Sequence, residues 1–184
     1  RMHHMALFSR HWCQKAAYTV FELNEEEDGL DFGGRYRVDA NRLAVWNALN
    51  DAEVLKSCIP GCKMIRWTSD TALELEIAVN LGVVHPVFKG DLFLSDIDPA
   101  ISYTLTGQGR GGLLGKAQAS ADIGLIDLDS STLLSFSATG GASGQIMKLG
   151  RAIVGNSAQK IIDGFFERFG EAMGAKVVPL EPKG

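Results

Sequence analysis

The sequence predicts an α+β fold in which a curved antiparallel sheet of about seven strands wraps around a long C-terminal helix. Three observations carry that prediction. Between residues 72 and 140, apolar side chains recur at alternate positions in several runs, which is the period of half-buried strands. From Ala158 to Met173 they recur instead at three- and four-residue spacing. The elements also come segregated, as a strand, two short helices, a block of strands and a final helix, rather than alternating as parallel βαβ units would.

Asp31 to Asp39 alternates around Phe32, Tyr36 and Val38 and reads as the first strand. Asp39 or Asn41 can then cap a helix carrying Leu43, Val45, Trp46 and Leu49. A second short helix spans Asp51 to Lys56 and stops at Ile59-Pro60-Gly61, because proline restricts the residue before it and glycine permits a turn. In the strand block, Leu73, Leu75, Ile77, Val79 and Leu81 alternate with Glu74, Glu76 and Asn80. Phe88, Leu92 and Leu94 alternate with Lys89, Asp91 and Ser95, and Ile97-Asp98-Pro99-Ala100 turns the chain into Ile101, Tyr103 and Leu105. Two more strands, Lys116 to Asp129 and Thr132 to Gly140, complete an antiparallel meander. The final helix sets Ala158, Ile161, Ile162, Phe165, Phe166, Phe169 and Met173 against a charged side of Lys160, Asp163, Glu167, Arg168 and Glu171, with Gly174 at its stop.

The chain has 184 residues, enough for one domain with a closed core, and its 18 Lys+Arg against 22 Asp+Glu leave a net charge of −4. That balance gives no basic footprint for nucleic acid. Apolar runs stop short of a bilayer span, as in Leu81 to Phe88, which contains Gly82, His85 and Pro86. Three cysteines, Cys13, Cys58 and Cys62, make no disulfide framework and suit a reducing compartment. Residues 1–28, with a Met-His-His-Met start readable as appended sequence and an acidic run from Glu25 to Asp28, stand apart as an N-terminal arm; residues 29–176 form the domain and 177–184 a C-terminal tail.

Little in the sequence points to catalysis. Outside the arm the one histidine is His85, beside Pro86, so a nucleophile has a single imidazole to draw on. Cys58 and Cys62 have metal-like spacing but no second close pair, so the expectation is no metal and no cofactor. The run Gly107-Gln-Gly-Arg-Gly-Gly-Leu-Leu-Gly115 contains a Gly-x-Gly-x-x-Gly pattern, but it joins two strands late in the chain instead of a first strand to a helix. It reads either as a hairpin at a cavity mouth, formed by Gly107, Gly109, Gly111, Gly112, Leu113, Leu114 and Gly115, or as an ordinary glycine-rich turn. Ala117, Ala119 and Ala121 on one strand face serve close packing beneath the phenylalanine-bearing helix or leave room for an apolar ligand, and the spacing alone supports both.

Together these residues resemble the carbon monoxide dehydrogenase G-subunit family, within the helix-grip superfamily of START domains, plant pathogenesis-related allergens and polyketide cyclases. The resemblance rests on Val45 to Asp51, Val54 to Cys62 with its Ile-Pro-Gly-Cys run, Phe88-Lys89-Gly90, Gly107 to Gly115, Gly140-Gly141 and Phe165 to Phe169, and covers about residues 30–174. It implies a helix-grip fold around an apolar cavity, and an accessory role toward molybdenum hydroxylases, either recruiting them to the membrane or bringing them a lipid-soluble quinone. Some relatives carry a long tail with a membrane-seeking apolar end beyond the domain; with Glu181-Pro182-Lys183-Gly184 following the domain here, the expectation is transient membrane contact, not stable anchoring.

The leading expectation is therefore a non-catalytic, cytoplasmic protein, peripheral at the inner face of the membrane. It would shelter a quinone or lipid and partner a carbon monoxide dehydrogenase-like molybdenum hydroxylase, with transient membrane contact through the glycine loop and Leu113-Leu114. The expected ligand walls are Leu73, Leu75, Ile77, Leu92, Leu94, Ala119, Ala121, Phe136, Ile162, Phe166 and Phe169. The alternative is a polyketide cyclase or hydratase-like enzyme in the same cavity, for which Tyr103, His85 and Asp122 are the nominees.

Overall fold

The computed structural model describes residues 29–180. The arm 1–28 and the last four residues of the expected tail lie outside the described residues. In chain order the elements are β1 (Leu30–Val38), α1 (Arg42–Leu49), α2 (Ala52–Cys58), β2 (Cys62–Ser69), β3 (Ala72–Ala78), β4 (Val87–Asp98), β5 (Ser102–Arg110), β6 (Lys116–Leu128), β7 (Ser131–Ser143), α3 (Arg151–Met173) and β8 (Val177–Pro179). The strands form one antiparallel sheet in the order β2-β3-β4-β5-β6-β7-β1-β8. β2 to β7 follow the meander order; β1 crosses to pair with β7, bringing the first strand beside the last long one, and β8 adds to its other edge.

The count is eight where the periodicity suggested about seven. Residues 177–179, read as tail, pair with Tyr36 to Val38 as a short edge strand, which corrects that boundary. A three-residue strand is too short to show an alternation. Helix ends follow the local chemistry. Of the two cap candidates, Asn41 is the one used, its Oδ1 accepting from the Ala44 N–H at 2.8 Å, and Asp51 caps α2 by accepting from Glu53 N–H at 2.9 Å. Gly174 closes α3 in the left-handed conformation, with the Ala175 N–H donating to the Gly170 carbonyl.

The main core gathers where α1, α2 and the C-terminal half of α3 meet β1, β6 and β7. Val38, Val45, Leu49, Cys58, Leu125, Leu134, Phe166 and Phe169 are all buried there. Phe169 is 0% exposed, and burying a side chain of that size contributes about 2–3 kcal/mol. Tyr36 and Phe166 stack with ring centroids 3.8 Å apart, and Phe136 lies 5.6 Å from Phe166. Thr132, the buried polar residue of this region, is satisfied by donating to the Ala40 carbonyl at 2.8 Å.

The Ile59-Pro60-Gly61-Cys62 run has a steric explanation. Gly61 sits at φ +77°, and a Cβ there would press on the carbonyl oxygen of Ala78. The Gly61 carbonyl in turn accepts from the Ala78 N–H at 2.9 Å, stitching the turn onto the end of β3. Gly61→Ala is expected to lower stability by about 1–3 kcal/mol, seen as a lower urea midpoint at unchanged m-value. Gly174→Ala, at φ +61° with open space around it, should cost less; equal losses would remove the role given to the Ala78 contact.

Candidate functional site

The register places small residues across the concave face of the sheet. Leu92, Gly107, Ala119, Gly140 and Leu30 follow one another from β4 through β5, β6 and β7 to β1, and Gly90, Gly109, Ala117 and Ala142 form the next row. Three adjacent strands thus present almost no side chain toward α3. The half of α3 above them is also lightly built, with Val154, Ser157, Ala158 and Ile161, whereas its other half carries Phe165, Phe166 and Phe169.

Between these two lightly built surfaces lies a cavity of about 300 Å³, at the lower end of the range of small-molecule pockets. Its floor is Gly90, Gly107, Gly109, Ala117, Ala119, Gly140 and Gly141; its walls are Leu75, Ile77, Val79, Leu81, Phe88 and Leu92 on one side and Leu30 and Phe32 on the other. Gln108 and Gln118 border it, but strand alternation puts their side chains on the convex face, opposite Gly107, Gly109, Ala117 and Ala119. Ser157 supplies a hydroxyl, which donates to the Asn80 carbonyl at 2.7 Å. Among the described residues, no ionisable side chain lines the cavity.

Of the expected ligand walls, Leu75, Ile77, Leu92 and Ala119 stand in the lining. Leu73, Leu94, Ala121, Phe136, Ile162, Phe166 and Phe169 stand outside it. Phe136, Ile162, Phe166 and Phe169 belong to the aromatic core at the other end of α3, so helical periodicity could not separate the residues that fill the interior from those that border space. Among the lining residues the sequence reading missed are Leu30, Phe32, Val79, Leu81, Phe88, Val154 and Ile161. Val79 and Leu81 carried a signal, since their alternation continues that of β3 although the ladder ends at Ala78.

The glycine loop divides between the cavity lining and the packing behind it. Gly107 and Gly109 lie in the cavity floor, while Gly111 is buried against Phe88. Gly112–Leu114 forms a single 3-10 turn, Leu114 packs behind the Phe88–Ala142–Ile146 end wall, and Gly115 holds φ +111° against the Ser143 carbonyl. The loop thus packs behind the Phe88–Ala142–Ile146 side of the cavity, and Leu113 projects from it, 97% exposed.

The catalytic nominees do not converge. His85 is exposed in the β3–β4 connection, and Asp122 is exposed and accepts from Thr104 Oγ1 at 2.8 Å. Tyr103 is buried edge-on to Trp46, with ring centroids 5.4 Å apart, and burial pushes its hydroxyl up to about 12. Burial likewise raises the thiols of Cys58 and Cys62, which keeps both protonated at neutral pH.

A concave antiparallel sheet gripping one long helix over an apolar cavity defines a START-like helix-grip protein. Within that class the chain belongs to the carbon monoxide dehydrogenase G-subunit (CoxG) family, whose model matches residues 34–174. Among solved structures, it is similar to a conserved protein from Geobacillus kaustophilus at 23% identity and TM-score 0.72, over 80% of this chain and 99% of that one. It is also similar to a START superfamily protein from Mycobacterium smegmatis (12%, TM-score 0.61, 78% and 97%). The Zhui aromatase/cyclase from Streptomyces sp. R1128 shares the fold too (13%, TM-score 0.57, 78% and 93%). A comparison with curated protein sequences gave no match.

Tyr103 makes the alkaline limb of stability predictable. Its folded-state value lies above the ordinary 10.0, so the native state retains a proton that the unfolded chain releases. The contribution is complete below pH 10 and is lost as pH rises toward 12, at up to about 1.4 kcal/mol per pH unit. Urea midpoints should fall across that window in the native chain and fall less steeply in Tyr103→Phe; parallel curves would contradict the assignment.

Proposed function

We propose that this chain is a non-catalytic accessory protein that carries an uncharged hydrophobic molecule, a quinone or another lipid, for a molybdenum hydroxylase of the carbon monoxide dehydrogenase type. The observation that supports it most is the cavity lining, in which the one hydroxyl side chain is already bonded to Asn80 and everything else is apolar or backbone. Such a site recognises by burying apolar surface, at about 25 cal/mol per Å² before ordering costs. A cyclase or hydratase needs an acid or base within reach of its proton, and the nominees for that task stand outside the lining. Family membership supports the choice of partner enzyme, through the enzyme for which the family is named. No helix among the described residues is long and apolar enough to cross a membrane. In this reading the protein acts in the cytoplasm and meets the inner face of the membrane peripherally, when it exchanges ligand.

Organic extraction of the purified protein followed by mass spectrometry should release an apolar molecule at near-stoichiometric amount. Added short-chain quinones should bind more tightly by about fourfold per buried methylene until the cavity is full. Ala119→Phe, which grows a ring from the floor into the cavity, should weaken that binding at least tenfold while leaving thermal stability within a few degrees. Equal binding by the native and Ala119→Phe proteins would place the ligand elsewhere, and no apolar ligand in either experiment would remove the carrier reading.

A further inference from the structure

The β3–β4 connection does more than reverse the chain. Beyond Ala78 the two strands stay loosely paired, with Val79 N–H donating to Pro86 O at 2.9 Å and Leu81 N–H to Val84 O at 3.0 Å. This tip leaves the sheet and crosses to α3, where Val79 and Leu81 become cavity wall and Leu81 is only 3% exposed. At its turn, Gly82 holds φ +88° with no atom within 4 Å of where a Cβ would stand, and Val83 is 86% exposed. One side of the tip thus faces the cavity and the other faces water.

Its polar tie to the helix is the Ser157 hydroxyl on the Asn80 carbonyl, 77 residues apart in sequence. The neighbouring Asn80 side chain turns back to accept from the Gly82 N–H at 2.8 Å, so the tip is braced internally as a unit. A braced hairpin tip, packed on an apolar cavity and pinned by one side-chain hydrogen bond, can lift without disturbing the ladder that starts at Ala78 and Val87.

Building on the carrier reading, we infer that residues 79–86 are the gate of this cavity, with Leu81 as its bolt and Ser157 as the latch that positions it. Ser157 stands in the cavity lining, but its hydroxyl is directed to the Asn80 carbonyl, and the role inferred for it is that of a positioning residue acting through Asn80. Lifting the tip withdraws Val79 and Leu81 from the wall and opens the cavity on the β3–β4 side. A molecule longer than the 300 Å³ interior then has a path for the part that does not fit.

The test compares the native chain with Ser157→Ala and Ser157→Thr. Loss of one hydrogen bond of ordinary net strength should raise hydrogen exchange of the Leu81 amide by about two- to tenfold in Ser157→Ala, with β6 and the C-terminal half of α3 unchanged. Ser157→Thr, which keeps the hydroxyl, should restore native exchange. With the uncharged fluorophore N-phenyl-1-naphthylamine, stopped-flow uptake and release should both accelerate by a similar factor in Ser157→Ala, so that Kd moves less than either rate constant. Unchanged Leu81 exchange, or faster release without faster uptake, would overturn the gate. Failure of the fluorophore to bind any of the three proteins would count against the carrier reading, and the exchange result would still decide the latch.

Discussion

The stack of Tyr36, Phe136 and Phe166 determines how near α3 can come to the sheet. Aromatic rings at van der Waals distance cannot be compressed, and with Tyr36 and Phe166 centroids 3.8 Å apart the contact has no slack. Phe165 and Phe169, stacked at 5.6 Å, extend the same wedge toward α1 and α2. The helix is therefore seated firmly at its C-terminal half. Along its other half the rings give way to Val154, Ser157 and Ala158, above a floor of glycine and alanine, so the same spacing that closes the core at one end leaves the cavity at the other.

That division explains why the architecture was legible in the sequence and the site only partly. Alternation from Leu73 to Gly140 and the three-four spacing from Ala158 to Met173 are local signals, and each produced the element it indicated. The α+β arrangement followed because a helix with so apolar a face must cover a sheet. The boundary of the cavity is a property of pairs of elements. Phe166 and Ala119 both face inward, yet Phe166 meets Tyr36 and Phe136 while Ala119 lies beside Gly107 and Gly140, and nothing in either residue's own neighbourhood in sequence distinguishes these surroundings. Leu30 and Phe32 went unnoticed as wall residues because they reach the cavity through the β1–β7 pairing, across more than a hundred residues.

The glycine-rich loop shows the same limit from another side. Its composition left a cavity-mouth hairpin and an ordinary glycine-rich turn equally open, and in the structure its glycines answer separate local demands. Gly107 and Gly109 leave the floor bare, Gly111 makes way for Phe88, and Gly115 takes a backbone conformation that other residues rarely adopt. The Ile-Pro-Gly-Cys run, by comparison, reported its role faithfully, since the turn it forms is defined by residues adjacent in sequence and its close approach to Ala78 singles out Gly61.

The two sides of the cavity floor differ in how readily they could be remodelled. On β4 and β5 a methyl group in place of hydrogen at Gly90 or Gly107 would fall within 3 Å of the Gln108 carbonyl oxygen or the Leu92 side chain. On β6, Ala117 and Ala119 already have their Cβ atoms directed into free volume. Descendants of this chain could thus be refitted for bulkier or slimmer cargo by single replacements on β6, or at Gly109 of β5 where a Cβ meets only ordinary contacts, while Gly90 on β4 is held by the backbone beside it.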